Sequence, residues 1–169
     1  TFVSQLLGKA SALAYTDDDG VTWNISQGSG INSGVDHQNI GGGPYAKNID
    51  GTLKGGAIQR AGPNGQIYPN AIYYASQDVG LAEIARSDDG GFTFGVAIPM
   101  WTLAQCDGLH GHSKVAPDGT VYVPNKSCGG KQGVAVSEDN GVSWSIRTVD
   151  GSTPGDTDPS VGIGADGTV

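Results

Sequence analysis

Short runs of alternating apolar and polar residues, separated by glycine-rich turns, recur along the chain and predict β-strands rather than helices. The clearest series lies in the second half of the chain. There, 112–116 predicts a first strand, 117–119 a turn, 120–123 a second strand, 133–137 a third strand and 143–149 a fourth. Four such strands within about 45 residues predict one antiparallel, four-stranded unit.

A longer unit precedes this one. Its first strand is predicted near 35–40 and its second strand at 71–76. The stretch 41–70 between them is rich in glycine, asparagine and proline, and its alternation is weak. We interpret it as an inserted loop, and loops of that length in compact domains are usually functional or mobile.

The two ends of the chain predict partial units. Near the start only two strands are predicted, at 12–15 and 22–25, and 4–13 is the best candidate for a short helix. Near the end a strand at 158–163 is followed by a turn at 166–167. The pattern therefore predicts about two full units and parts of two others.

We divide the chain accordingly into four segments of one domain. Residues 1–34 hold the outer strands of a first unit, 35–104 the second unit with its inserted loop, 105–155 the third unit, and 156–169 the start of a fourth. Two complete units leave a raw sheet edge exposed. We therefore expect a fragment of a larger polypeptide, or a chain that another copy completes.

One turn motif occurs three times, and its template is a hydroxyl residue, any residue, Asp, any residue, Gly, any residue, a hydroxyl residue and an aromatic residue. The hydroxyl and carboxylate predict hydrogen bonds to the turn's own backbone, and the glycine supplies a positive φ. The aromatic residue begins the next strand, and we expect its ring to be buried. The positions that define the motif are Thr16, Asp18, Gly20 and Trp23; Ser87, Asp89, Gly91 and Phe94; and Ser137, Asp139, Gly141 and Trp144.

This motif resembles the Asp-box, or BNR repeat, of sialidases and related β-propellers. The resemblance implies an all-β, sialidase-like propeller of four-stranded antiparallel blades, here a partial one. In that family the box joins the two outer strands of a blade, on the side of the propeller away from the active site. The resemblance therefore implies a structural role for the box aspartates.

Sialidase chemistry would require an arginine triad that binds a carboxylate, a tyrosine nucleophile paired with a glutamate, and an aspartate acid/base. Arg86 and Arg147 are expected on outer strands, and Arg60 lies in the inserted loop. Glu83 and Glu138 are also expected on outer strands. The sequence therefore identifies no catalytic residue.

The formal net charge of −8 and the isoelectric point near 4.5 argue against nucleic acid and anionic membranes as partners. No run approaches the ~18 apolar residues that a membrane-spanning helix needs, so we expect no membrane insertion. The 29 glycines and the 15% of charged residues fit many short strands joined by tight turns.

The two cysteines, Cys106 and Cys128, are expected in loops that flank the first two strands of the third unit. Two cysteines in a secreted protein usually pair, whereas two free thiols would fit a cytosolic protein. We expect the disulfide, because the chain lacks a CxxC metal pattern. Such a bond predicts an extracellular or otherwise extracytoplasmic location.

Histidines and acidic residues cluster near the predicted first strands of three units, where propellers bind ligands at the mouth of the central channel. One interpretation is metal binding, because His110 and His112 alternate on a predicted strand and would share a face. A second is binding of a sugar or another polar ligand. A third is hydrogen bonding between neighbouring units. We predict no cofactor. The candidate ligand-binding residues are Asp36, His37, His110, His112 and Asp158.

Two functions of different class remain open. The first is a secreted, sialidase-like propeller that binds or hydrolyses glycans at the channel mouth, with carbohydrate as its partner. The second is a non-catalytic extracellular scaffold for interaction or assembly. In both, the remaining blades would come from the same polypeptide or from another copy.

Overall fold

The computed structural model describes residues 1–7, 10–26, 36–77 and 81–169. It is all-β, with three antiparallel sheets that follow one another along the chain. The first sheet has the order β1-β2-β3, the second β4-β5-β6-β7 and the third β12-β11-β10-β8, with β9 also paired to β10. The only regular non-strand element in these residues is a single 3-10 turn, Lys54–Gly56.

The strand bounds are as follows. The first sheet consists of β1 (Phe2–Leu7), β2 (Ala10–Tyr15) and β3 (Asn24–Ile25). The second consists of β4 (Asp36–Pro44), β5 (Asn70–Gln77), β6 (Ala82–Ser87) and β7 (Ile98–Pro99). The third consists of β8 (Cys106–His110), β9 (Lys114–Val115), β10 (Val121–Cys128), β11 (Lys131–Ser137) and β12 (Ser145–Thr148).

Strand β5 shows why the sheets stack. Successive side chains of a strand point to opposite faces, and β5 divides its residues between two cores. Tyr73, which is completely buried, joins a core shared with the third sheet. Tyr74 joins a second core with Leu13 of the first sheet and Phe94. The second sheet is therefore covered on both faces, which accounts for the nearly continuous burial along β5.

The second and third sheets approach each other closely through glycine. Strand β4 lies beside β1 on one side and beside β9 on the other. A Cβ atom at Gly41 would overlap Ser113, and one at Gly43 would overlap Val115. Any larger residue at these two positions would push the two backbones apart, so the glycines fix the separation of the sheets.

The connection between β4 and β5 spans 45–69 and is ordered by local pairing. Isolated bridges join Lys47 to Leu53 and Ala61 to Ile67. The buried Asn140 side chain, in the turn of the third sheet, accepts a hydrogen bond from the Ala46 amide at 2.8 Å. The same side chain donates to the carbonyls of Ala46 and Lys54, at 3.0 and 2.9 Å. The insertion is thus docked on the neighbouring sheet.

Several predicted elements were wrong in detail. The helical candidate at 4–13 is instead the β1–β2 hairpin, because strand pairing gives its backbone partners that a helix this short would lack in water. The first strand of the second unit continues through Gly41–Gly43 to Pro44, so the inserted loop begins at 45 rather than 41.

At the end of the chain, 158–163 forms no strand, and no described strand pairs with it. The turn after it is present, with the Gly167 amide donating to Gly164 O at 3.0 Å.

The third unit also differs from its prediction. The strand expected at 112–116 is replaced by β8, which ends at His110, and by the short β9. Cys106 and Cys128 lie in β8 and β10 rather than in loops, and they face each other across the pair. A bulge in β8, where Gly108 has φ of 73°, had hidden its alternation.

Candidate functional site

The three repeated turns share one set of hydrogen bonds. In the third, Ser137 Oγ donates to Asp139 Oδ1 at 2.8 Å and accepts from the Gly141 amide at 2.9 Å. Asp139 also accepts from the Ser143 amide at 2.9 Å and from the Ser143 hydroxyl at 2.6 Å. Equivalent bonds centre on Asp18 and Asp89. These aspartates therefore have a structural role.

The electrostatics of these turns agree with their hydrogen bonds. Hydrogen bonds from the Thr22 side chain and amide lower the pKa of Asp18 to about 2. Partial burial pushes the pKa of Asp139 upward, but the hydrogen bonds from Ser143 and Ser137 outweigh it and leave that pKa lowered. Both carboxylates are thus held ionised as acceptors.

The residue before each motif glycine also has a positive φ. Asp19 and Gly20 have φ of 57° and 91°, and Asn140 and Gly141 have 59° and 80°. The second motif has two glycines here, at 81° and 96°. Asp-Gly, Gly-Gly and Asn-Gly are the pairs that best tolerate two successive left-handed residues, so the sequence carried a signal at this position that our template left as any residue.

The three motif aromatics are not equally buried. Phe94 is buried, 8% exposed, in the core between the first and second sheets. Trp144 is half-buried against the core between the second and third sheets. Trp23 is 46% exposed, so its predicted burial was wrong. The reason is that Phe94 and Trp144 each pack in or against a core between two described sheets, whereas Trp23 belongs to neither core.

His37 occupies an unusual backbone position. Strand β4 has one extra residue between Asp36 and Asn39 relative to β5, which is a β-bulge, and His37 within it has φ of 54°. Positive φ is uncommon for residues other than glycine. The bulge brings His37 Nε2 to 2.6 Å from Asp158 Oδ2, while His37 Nδ1 lies 3.3 Å from Asp36 Oδ1. One imidazole is thus flanked by two carboxylates.

His110 lies beneath this pair and is buried, 1% exposed. Its Nδ1 is 2.9 Å from Gly111 O and 3.2 Å from Asn39 Nδ2; because the carbonyl is nearer and can only accept, we assign the proton to Nδ1, which leaves a lone pair on Nε2. This Nε2 has no partner among the described residues. Burial lowers the pKa of His110 to about 4, and the nearby His37 lowers it further, while the bond to Gly111 opposes the shift.

Two amide side chains support the site, and sequence reasoning missed both. Asn39 Oδ1 accepts from the Ser113 amide at 3.0 Å and from the Ser113 hydroxyl at 2.7 Å. Gln77 donates to Gly108 O at 2.8 Å and accepts from the His110 amide at 3.2 Å. Both are buried and join the second sheet to the third. Gln77 ends the nearly continuously buried β5, whereas Asn39 lies inside the largely unburied β4, so the two share no sequence signal.

The structure brings together four of the five predicted site residues. Asp36, His37 and His110 lie near Asp158, which belongs to the segment after the third sheet. We call these four residues the His–Asp cluster. His112 does not join them and is exposed. The prediction that His110 and His112 share one strand face was wrong, because β8 ends at His110 and His112 lies in the interruption before β9, where it is exposed while His110 is buried.

The described residues contain no group of three or more His, Cys, Asp or Glu side chains placed to hold a metal ion. The cluster offers carboxylate oxygens on Asp36 and Asp158, the partly exposed ring of His37 and the buried Nε2 of His110. The two exposed carboxylates can accept hydrogen bonds from hydroxyl groups and favour donors or cations.

The arginines lie away from this cluster. Arg86 is bound by Asp88, with Nε–H donating to Oδ1 at 2.9 Å, and Arg147 pairs with Glu138 at 2.8 Å. Arg60 lines a cavity together with Arg86. Two of the three arginines are therefore each engaged by a neighbouring carboxylate, and the three do not form a carboxylate-binding triad.

Cys106 and Cys128 form a disulfide with an S–S distance of 2.14 Å, which confirms their predicted pairing. The bond joins β8 to β10, the strand pair that carries His110. Within the described parts of the chain, no helix is long and apolar enough to cross a membrane.

Comparison with known proteins assigns no family. No family model matches the chain, and no curated protein matches it. A crystal structure of a protein of unknown function from Dyadobacter fermentans DSM 18053 is similar, with 19% identity and a TM-score of 0.42. The match covers 86% of this chain and 35% of the other, so this chain spans about a third of that protein's length.

Proposed function

We propose that this chain is part of an Asp-box β-propeller and that its His–Asp cluster binds a carbohydrate or a similar polar ligand. The three sheets would be successive blades. The same turn, with the same hydrogen bonds, recurs in each of them. The neighbouring strands β1, β4 and β9 would be the inner strands of the wheel.

The observation that carries the ligand-binding proposal is the bulge at His37. A non-glycine residue with positive φ is held at a cost, and such positions cluster at binding sites. Here the bulge aims an imidazole that is 23% exposed between two carboxylates that are 71% and 46% exposed. The two carboxylates are therefore open to a ligand's hydroxyl groups, whereas His37 Nδ1 is buried and His37 Nε2 is bonded to Asp158.

We propose binding rather than hydrolysis. A retaining glycosidase needs a nucleophile and an acid about 5 Å apart on either side of the scissile bond. In this cluster both carboxylates flank the same imidazole, and Asp158 is hydrogen-bonded to it. That arrangement suits acceptance of sugar hydroxyls by Asp36 and Asp158, with His37 held in place between them.

A scaffold function is the second candidate, and one observation favours it. The His37–Asp158 bond ties the second sheet to the segment after the third, and a Cβ atom at Gly111 would overlap Pro159 O. The cluster would then join neighbouring blades. In either case we propose an extracellular location, which the Cys106–Cys128 disulfide supports.

A glycan array with the wild-type protein tests the first proposal, with His37→Gln as the site variant and His112→Gln as the matched control. We expect glycan binding that His37→Gln removes and His112→Gln retains, and no release of product from a fluorogenic sialoside. An array without binding, together with a lower unfolding temperature for His37→Gln, would favour the scaffold. Equal binding by both variants would exclude this cluster as the glycan site.

A further inference from the structure

A cavity of about 350 Å³ opens between the second and third sheets, at the end where their repeated turns lie. It is lined by turn residues of both sheets and by Arg60 from the β4–β5 connection. Small-molecule sites occupy about 300–1,000 Å³, so the cavity is large enough for a ligand. It is a different site from the His–Asp cluster, and its role is independent of the proposed glycan binding.

One buried residue beside the cavity carries an unsatisfied hydroxyl. Tyr73 lines it, is 0% exposed, and its hydroxyl has no partner among the described residues. Buried polar groups are nearly always hydrogen-bonded, so an exception calls for an explanation. Burial raises the pKa of Tyr73, with a smaller opposing effect from Arg86, and the phenol therefore stays protonated and able to donate.

The carboxylates near the cavity are already occupied. Asp88 accepts from Arg86 Nε and Nη2, at 2.9 and 3.2 Å, and from the Tyr45 hydroxyl at 3.1 Å. Asp89 Oδ1 accepts from Ser87 Oγ at 2.8 Å, and Asp89 Oδ2 accepts from the Thr93 hydroxyl. These acidic groups therefore leave little capacity for a ligand cation.

Arg60 is the group left available. Its amide donates to Asp88 O at 2.8 Å, which fixes the backbone at the cavity mouth. Its guanidinium makes no hydrogen bond or ion pair within the described part of the chain, and the residue is exposed. A guanidinium recognises carboxylates through paired N–H donors. The wall between the mouth and Tyr73 includes apolar side chains, among them Phe94 and the exposed Val96 and Val142.

We propose that this cavity binds a small amphipathic carboxylate with a second polar group at its far end, such as a hydroxylated aromatic acid. The carboxylate lies at Arg60, the apolar body lies along Val96 and Val142, and the distal hydroxyl reaches the Tyr73 hydroxyl, which binding must uncover because the structure leaves it inaccessible. The ligand thereby supplies the hydrogen-bond partner that Tyr73 lacks in the protein.

The test uses 4-hydroxyphenylacetate, phenylacetate and the amide of each, titrated into the isotopically labelled protein and followed by amide chemical shifts. We expect 4-hydroxyphenylacetate to bind and to shift the Gly95, Val96 and Val142 amides, and the neutral amides to bind at least about tenfold more weakly. Arg60→Gln should weaken binding by about tenfold, while the control Arg147→Gln, which alters an exposed arginine elsewhere, should not.

Tyr73→Phe separates the role of the hydroxyl from that of the fold. It keeps the ring and removes only an unpartnered group, so we expect a folded protein that no longer prefers 4-hydroxyphenylacetate to phenylacetate. No binding by the wild type up to about 10 mM would overturn the proposal. Equal affinities for wild type and Arg60→Gln, a preference retained in Tyr73→Phe, or shifts centred on His37 would each overturn it too.

Discussion

Replacing the buried His110 with asparagine should remove most of the dependence of stability on pH between about 6.5 and 4 that this residue causes. In the folded protein the ring is neutral, because Nδ1–H donates to Gly111 O and the surroundings are dry. Asparagine can keep a donor near the Nδ1 position and cannot titrate. The variant therefore keeps a donor for Gly111 O and removes the titrating ring.

The size of the effect follows from the two pKa values. The pKa of His110 is about 4 in the folded chain against an ordinary value of 6.5, and burial is its main cause. The difference corresponds to about 3 kcal/mol of unfolding free energy. Because the folded pKa is the lower one, the unfolded chain takes up the proton first as the pH falls. The free energy of unfolding is therefore unaffected by the titration of His110 above pH 6.5, and it falls progressively as the pH is lowered from 6.5 to 4.

Urea unfolding of wild type and His110→Asn at several values between about pH 7.5 and pH 4.5 measures this quantity. The exposed carboxylates titrate in both proteins, so the difference between the two curves isolates His110. We expect the wild type to lose about 2–3 kcal/mol more than the variant over this range. His112→Asn is the control, because it replaces an exposed histidine two residues away by the same side chain.

Parallel curves for wild type and His110→Asn would refute the reasoning. They would mean that His110 takes up a proton as readily in the folded chain as in the unfolded chain. The buried position, the Nδ1 tautomer and the unpartnered Nε2 would then all need revision. A variant that is less stable by the same amount at every pH would count as parallel.

Three further predictions concern stability, each measured by urea unfolding near neutral pH. Phe94→Ala should cost about 3 kcal/mol and Trp23→Ala about 1 kcal/mol, because only Phe94 is enclosed between two sheets. Asn140→Ala should cost about 3 kcal/mol, since it removes three hydrogen bonds to the docked insertion. Replacing Cys106 and Cys128 by serine should cost about 3 kcal/mol, with the wild type under reducing conditions matching the variant.

Each of these has a control and an outcome that contradicts it. Equal losses for the two aromatic variants would argue against the burial difference between the first and second repeats. Asn48→Ala, which alters an exposed side chain of the same insertion, should change stability by less than about 0.5 kcal/mol. Serine variants as stable as the wild type would indicate that the disulfide is absent in solution.

The sequence was most informative where structure is local. The turns around Asp18, Asp89 and Asp139 could be predicted because each carboxylate bonds to groups within four residues of it. The strand that ends at His110 could not, because its bulge breaks the alternation that marks a strand. Regular alternation was therefore recognised, and interruptions to it were not.

The candidate site shows the same division. His37 and Asp158 could be grouped because they occupy corresponding places in the predicted second and fourth units. The buried Asn39 and Gln77 could not be recognised, since their partners Ser113 and Gly108 are on another sheet and are far away in sequence. Nor could a sequence pattern reveal the cavity at Tyr73, which depends on how two sheets pack.

Two of the motif aromatics, Phe94 and Trp144, pack on the same side of their sheets, towards the preceding sheet. Phe94 follows the turn of the second sheet yet rests in the core that the first sheet helps to form, and Trp144 lies in the next core along. Each of these two aromatic side chains therefore packs against the sheet that precedes its own in the sequence. If the sheets fold in the order of their synthesis, Phe94 and Trp144 would each dock on a sheet that has already formed.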